Sequence, residues 1–331
     1  MPKSFYIFSN GALKRKDNTI FLESESGKRF IPVEDTRELH VFGEVDITKK
    51  FLEFASQKEI IIHFYNYYGY YTGSFYPREH HNSGYMILRQ SEHYLDPEKR
   101  LKLAKAFVRG ALRNMRVVAR YYENRGEEEL APLVETLEEH LNKVDEAGNV
   151  SELMAIEGRC REAYYAGWNV ILKHPDFTFE RRSRRPPENR LNALISFGNS
   201  LLYTAVLSEI YKTHLDPRIG YLHASNFRRF TLNLDVAEIF KPIMVDRAIF
   251  TLIGRGQLSK QDFESEAGGV FLTEKGRQRM IEELEKRLKT TINHRGLGRS
   301  VSYRSLIRME LFKLQKHLMG EEEYEPYESR W

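Results

Sequence analysis

The sequence predicts an α+β protein, with a small mainly β N-terminal domain followed by a larger all-α-helical C-terminal domain. Three observations carry this. Up to about residue 90 the chain consists of short β-branched and aromatic runs separated by turn pairs such as Asn10-Gly11 and Asp17-Asn18. After about residue 95 the apolar positions recur at helical spacing. Between the two patterns lies the polar stretch PREHHNSG.

Taken in order, SFYIF, TIFLE, RFIPV, LHVFGEV and IIIHFYN read as strands, and ITKKFLEFA as one helix among them. Asp96-Pro97 supplies an N-cap and a first helical residue for LDPEKRLKLAKAFVRGALRNMRVVARYYE. Further helices are expected at about 130–146, 151–173, 187–214, 233–253, 273–290 and 301–318. The predicted organisation is a strand-rich domain over 1–85, a linker over 86–95, a helical domain over 96–320 and a flexible acidic tail, EEEYEPYESRW, over 321–331.

Lys and Arg number 51 against 47 Asp and Glu, a net charge of +4, so any nucleic-acid binding must come from local basic patches. A single cysteine, Cys160, excludes an intrachain disulfide and a multi-cysteine zinc site, and is read as small packing. The first thirty residues carry no apolar signal region and no stretch reaches eighteen uninterrupted apolar residues. The expectation is a cytoplasmic protein without membrane association.

Residues 220–242, GYLHASNFRRFTLNLDVAEIFKP, bring His223, Asp235 and Glu238 close in sequence. Asp235 and Glu238 are spaced to share one helix face, Lys241 lies three residues further, and Pro242 cannot donate to the carbonyl of Glu238. On these residues alone, a ligand site and a solvated helix face with a Glu238–Lys241 pair are equally good readings. A second segment, SELMAIEGRCREAYYAGWNVIL, favours the site. It sets Glu157 among apolar and aromatic residues, where a carboxylate needs a cation or strong donor. Two carboxylates and one imidazole form a hard, oxygen-rich set suited to Mg2+ or Mn2+.

RRSRRPPENR places Arg181, Arg182, Arg184, Arg185 and Arg190 before the next helix, a phosphate-binding composition whose rival reading is a solvated loop. SVSYRSLIRMELFKLQKHL adds Arg304, Arg308, Lys313 and Lys316 at roughly the spacing of one basic face. The tyrosines of HFYNYYGYYTGSFY read as strand and interface residues, with base stacking as the minority option. His80 and His81 read as a solvated pair.

IEGRCREAYYAGWN, RRPPENRLNALISFGNSLLYTAV and GYLHASNFRRFTLNLDVAEIFKPIMVD, in this order on a β-then-α layout, resemble the CRISPR-associated adaptation integrases, the family of the universal first Cas protein. The start FYIFSNGALKRKDNTI agrees and points to the type I-B branch. The resemblance implies that Glu157, His223 and Glu238 are metal ligands, with glutamate at 238 where many members have aspartate. It implies that Asp235 supports the site and that Lys241 lies near the scissile phosphate. It also implies insertion of spacers into the CRISPR array by attack of a spacer 3′-hydroxyl. The expected partners are spacer-precursor, repeat and branched DNA, a homodimer built through the β domains, and a second adaptation protein. Two rivals stand beside it: a stand-alone metal-dependent junction or repair nuclease, and a non-catalytic DNA-architectural protein.

Overall fold

A computed structural model describes residues 3–77, 81, 83–225 and 230–330. The chain divides into two compact units, Met1–His80 and His81–Trp331. Part of PREHHNSG, including His80, lies outside the described residues, as do residues 226–229 of the His223 segment.

The first unit holds strands β1 (Lys3–Ile7), β2 (Gly11–Lys16), β3 (Thr19–Ser24), β4 (Gly27–Ile31), β5 (Thr36–Val41), β6 (Val45–Ile47), β7 (Ile61–Tyr65) and β8 (Tyr71–Phe75), with helix α1 (Lys49–Gln57) before β7. They form two four-stranded sheets, ordered β1-β5-β7-β8 and β4-β3-β2-β6. The first has parallel β1/β5 and β5/β7 pairs and an antiparallel β7/β8 pair. Helix α1 starts where the Thr48 side chain accepts from the Phe51 amide, and buries Phe51, Phe54 and Ala55. Ile7, Leu39, Val41 and Ile62 project from the first sheet into this core. Strand alternation therefore turns Glu38, His40 and His63 to the opposite face, where they too are buried.

The second unit contains α2 (Gly84–Leu95), α3 (Pro97–Glu123), α4 (Ala131–Glu146), α5 (Val150–Ala166), α6 (Trp168–Leu172), α7 (Arg190–Ile210), α8 (Leu232–Lys241), α9 (Arg247–Gly254), α10 (Glu274–Lys289) and α11 (Tyr303–Met319). Two hairpins, β9 (Phe263–Glu266) with β10 (Gly269–Leu272) and β11 (Thr291–His294) with β12 (Arg299–Ser302), interrupt the helices. Helix α8 is buried at nearly every position and packs against α3 and α7. Gly110 of α3 permits this approach, since a Cβ there would stand 3.1 Å from Ile239 and 2.8 Å from Pro326. Helix α7 is long and apolar enough to cross a membrane, but 78% of its apolar window is buried inside the protein.

Several elements depart from the expected ones. The segment expected as a linker, 86–95, is helix α2: Ser83 caps it and Met86, Gln90 and His93 form its buried face. Two polar residues on that face hid the helical pattern. Gln90 is satisfied by the Asp216 amide at 2.7 Å and by carbonyl oxygens of Asp216 and Ile219. The stretch expected as one helix over 151–173 is two, parted at Gly167. Pro242 does loosen the 233–253 helix, as five π-helical residues, Pro242–Asp246, joining α8 to α9.

The acidic tail is packed rather than flexible. Tyr324 Oη donates to Glu310 Oε1 at 2.7 Å, the Tyr327 amide donates to the same oxygen at 3.0 Å, and the Ser329 amide donates to Asn114 Oδ1 at 2.8 Å. Tyr327 stacks on Phe240. Its charged residues face outward while the tyrosines and Pro326 are drawn inward, so net composition concealed the anchor.

Candidate active site

Glu157 on α5 and Glu238 on α8 are joined by a side chain the sequence reading passed over. Arg161 donates from Nε to Glu157 Oε1 at 3.0 Å and from Nη2 to Glu238 Oε2 at 2.5 Å. One turn of helix brings Arg161 over Glu157, and the α5–α8 juxtaposition brings it to Glu238. Lys241 Nζ takes the other Glu238 oxygen, Oε1, and lies 5.0 Å from the centre of the Tyr203 ring. Burial raises the Glu238 carboxyl, but Lys241, Arg161 and His223 together bring it down to about 2. Burial pulls Lys241 and Arg161 the other way, and their carboxylate partners hold both above their ordinary range. Glu238, Lys241 and Arg161 are therefore all charged at neutral pH.

Asp235 plays a different part from its neighbour on α8. Its Oδ2 accepts from the amides of Tyr221 and Leu222 at 2.5 and 3.0 Å, and its Oδ1 from the His223 amide at 2.9 Å. The same Oδ1 meets His223 Nδ1 at 2.7 Å. With its lone pairs taken up this way, Asp235 holds the loop over itself and fixes the imidazole with Nε2 turned away from it. Gly220 makes this wrap possible: a Cβ would stand 2.8 Å from Asp235 Oδ2. Burial lowers the His223 pKa, but Asp235 and then Glu238 reverse this, and the net shift is upward.

Asp246, at the end of the π-helical turn, is a second residue the sequence reading passed over. It is wholly buried, and burial pushes its carboxyl up to about 7 against the opposing pull of Arg161 and Lys241. An acid inside the apolar run KPIMVDRAIF was the available signal, as was Arg161 four residues after Glu157. Cys160 beside Arg161 is buried, and burial raises its thiol to about 12, so it remains a packing residue.

The basic segments fare unequally. Arg184 and Arg185 are exposed. Arg181 pairs with Glu188 at 2.8 Å, and Arg190 lies 3.8 Å from Asp176. Arg182 is used internally, donating to Asn192 Oδ1 and Ser196 Oγ, both at 2.9 Å. The cations expected as a basic face on the C-terminal helix all have carboxylate partners. Arg304 is buried against Glu285 at 2.8 Å, Arg308 binds the buried Glu209 at 2.6 Å, and Lys313 and Lys316 pair with Glu310 and Glu322. Arg304, Arg308 and Lys313 neutralise interior carboxylates, whereas Lys316 meets the exposed Glu322.

Fold and site together define an α+β protein whose helical unit links two glutamates through one arginine, pairs the second with a lysine, and orients a histidine on the neighbouring loop through Asp235. The chain belongs to the CRISPR-associated Cas1 family: the model of CRISPR associated protein Cas1 matches residues 5–286. It is 58% identical over 331 residues, all of both chains, to CRISPR-associated endonuclease Cas1 2 of Thermodesulfovibrio yellowstonii. It is 51% identical to CRISPR-associated endonuclease Cas1 of Thermotoga maritima, covering 97% of this chain and 98% of that one. A solved Cas1 protein from Thermotoga maritima superposes with a TM-score of 0.89 at 50% identity, over 98% of this chain and 100% of that one. A casposase bound to integration product shares the fold alone, at 18% identity and a TM-score of 0.88 over 99% of this chain and 94% of that one.

Proposed function

We propose that this chain is a divalent-metal-dependent DNA endonuclease and integrase of CRISPR adaptation, with Glu157, His223 and Glu238 as ligands of Mg2+ or Mn2+. The observation that carries the reading is the pairing of two carboxylates through one buried guanidinium, with His223, its Nδ1 engaged by Asp235, in electrostatic reach of Glu238. The residues fit the ion chemically. Glu238 is ionised despite burial, His223 Nε2 faces away from Asp235, and Arg161 supplies positive charge between the two glutamates. Binding a cation there requires the guanidinium to give way. When bound, the ion would polarise a phosphate oxygen of the target strand.

The remaining roles belong to the protein's own side chains. Asp235 orients His223, and Lys241 balances Glu238 from within the core. Buried as it is, Lys241 acts first on the carboxylate. Exposed Arg184 and Arg185, with Arg181 and Arg190 nearby, would grip DNA phosphates without reading sequence. The strand-rich unit is the proposed homodimer surface, and a second adaptation protein completes the integrating assembly.

An integration assay tests this. A short duplex with free 3′-hydroxyls, a supercoiled repeat-bearing plasmid and the second adaptation protein should give covalently joined products only with Mg2+ or Mn2+. Cleavage without joining under every condition supports the stand-alone nuclease instead, and neither product supports the architectural reading.

A further inference from the structure

Among the described residues, one group of histidine and carboxylate side chains brings all its ligand atoms within 4.8 Å of one another, and it lies in the strand-rich unit: Glu38, His40 and His63. Glu38 and His40 stand two apart on β5, and His63 is the register partner of His40 on β7, so strand pairing alone puts all three on one face. His40 Nε2 lies 3.6 Å from Glu38 Oε1, and His63 Nε2 lies 4.0 Å from Glu38 Oε2. All three residues are at most 3% exposed.

Hydrogen bonds from the surroundings hold all three side chains in place. His40 Nδ1 is held by Tyr65 Oη at 2.8 Å, His63 Nδ1 by Ser74 Oγ at 2.7 Å, and Glu38 Oε1 by Ser4 Oγ at 2.6 Å. Tyr6 stacks on the His40 ring with centroids 4.5 Å apart. Each imidazole is thus anchored through Nδ1 and presents Nε2, the arrangement found where a hydrogen-bonded outer layer orients metal-binding histidines. His40 Nε2 is buried and has no hydrogen-bond partner among the described residues. A ring nitrogen left in that state has lost its water without gaining a partner, a deficit that a cation would remove.

We propose that Glu38, His40 and His63 bind a borderline divalent first-row cation, Zn2+ before others, as a structural centre of the β1-β5-β7-β8 sheet. With bonds of about 2.0–2.2 Å, tetrahedral ligands stand roughly 3.3–3.6 Å apart, so ligand atoms that already lie within 4.8 Å of one another must draw closer by up to about an ångström to close on an ion. Two imidazoles and one carboxylate suit Zn2+ better than Mg2+, which separates this centre from the oxygen-rich set of the helical unit. Water takes the fourth position. The ion would tie β5 to β7 and, through Ser4, to β1.

The test uses the full-length chain stripped with chelator, then dialysed against limiting Zn2+, with bound metal counted by mass spectrometry. Wild type should hold one zinc equivalent more than Glu38→Gln or His63→Gln, and Zn2+ should raise its melting temperature but not theirs. If either variant folds, by circular dichroism, and keeps the full wild-type zinc complement, the proposal is overturned. Should both variants fail to fold, Co2+ added to His223→Ala decides: a tetrahedral Co2+ absorption band supports the centre, and its absence at saturating Co2+ removes it.

Discussion

Arg161 stands between Glu157 and Glu238, 3.0 Å from one carboxylate and 2.5 Å from the other, inside the helical unit. This guanidinium occupies the place where a divalent cation would neutralise the same two acids. Removing one partner of a buried ion pair costs about 3–5 kcal/mol because the remaining charges lose their compensation. Arg161→Met should therefore melt well below wild type in chelator and regain part of the difference in Mg2+ or Mn2+. Equal melting temperatures in chelator would mean that the two acids do not depend on Arg161.

Asp235 gives a separable prediction because it is a positioning residue. Asp235→Ala removes the acceptor of three backbone amides and of the His223 ring. Loss of such an orienting partner lowers metal affinity or activity by about 10- to 100-fold. The midpoint of the Mn2+ dependence of strand transfer should move upward accordingly, with partial rescue at high Mn2+. A fall in maximal rate at an unchanged midpoint would place Asp235 in another role.

Asp246 sets a pH dependence. Its folded-state pKa is raised from 3.8 to about 7 by burial. The folded protein therefore binds the proton more tightly than the unfolded chain, and this contribution to stability is lost as pH rises from about 4 to about 7, on the order of 1 kcal/mol per unit. In chelator, wild type should lose stability against Asp246→Asn across that window, and the two should run parallel above it. Denaturant unfolding at a series of pH values reads the difference directly, and parallel curves throughout would refute it.

The arginine segment divides into two classes. Arg184→Ala with Arg185→Ala should leave the fold intact and flatten the dependence of log affinity on log salt by roughly 0.9 per lost duplex phosphate contact. Arg182→Ala should lower the melting temperature, since Asn192 and Ser196 lose their donor. An unchanged salt slope in the double variant returns this loop to the solvated-surface reading.

What the sequence revealed followed from local rules, and what it concealed depended on distant partners. Asp96 caps α3 through the amides of Glu98 and Lys99, a contact written within four residues. Asp235 and Glu238 share the predicted helix, yet one faces the 221–223 loop and the other faces α5, a division that spacing cannot express. Arg304 and Arg308 looked like a DNA-facing row because their acceptors, Glu285 and Glu209, lie 19 and 99 positions away. The tail tyrosines were hidden by the glutamates between them. Glu38, His40 and His63 fall in runs that read as ordinary strands, and only the parallel β5/β7 register brings them together.

The central claim is that Glu157, His223 and Glu238 hold one catalytic divalent ion. Crystals soaked in Mn2+ and measured at the manganese absorption edge test it most directly. The account predicts an anomalous peak within bonding distance of all three side chains, with Arg161 displaced from the carboxylates. A protein active in Mn2+-dependent strand transfer whose crystals show no peak there, with Arg161 still bridging Glu157 and Glu238 at saturating Mn2+, would contradict it.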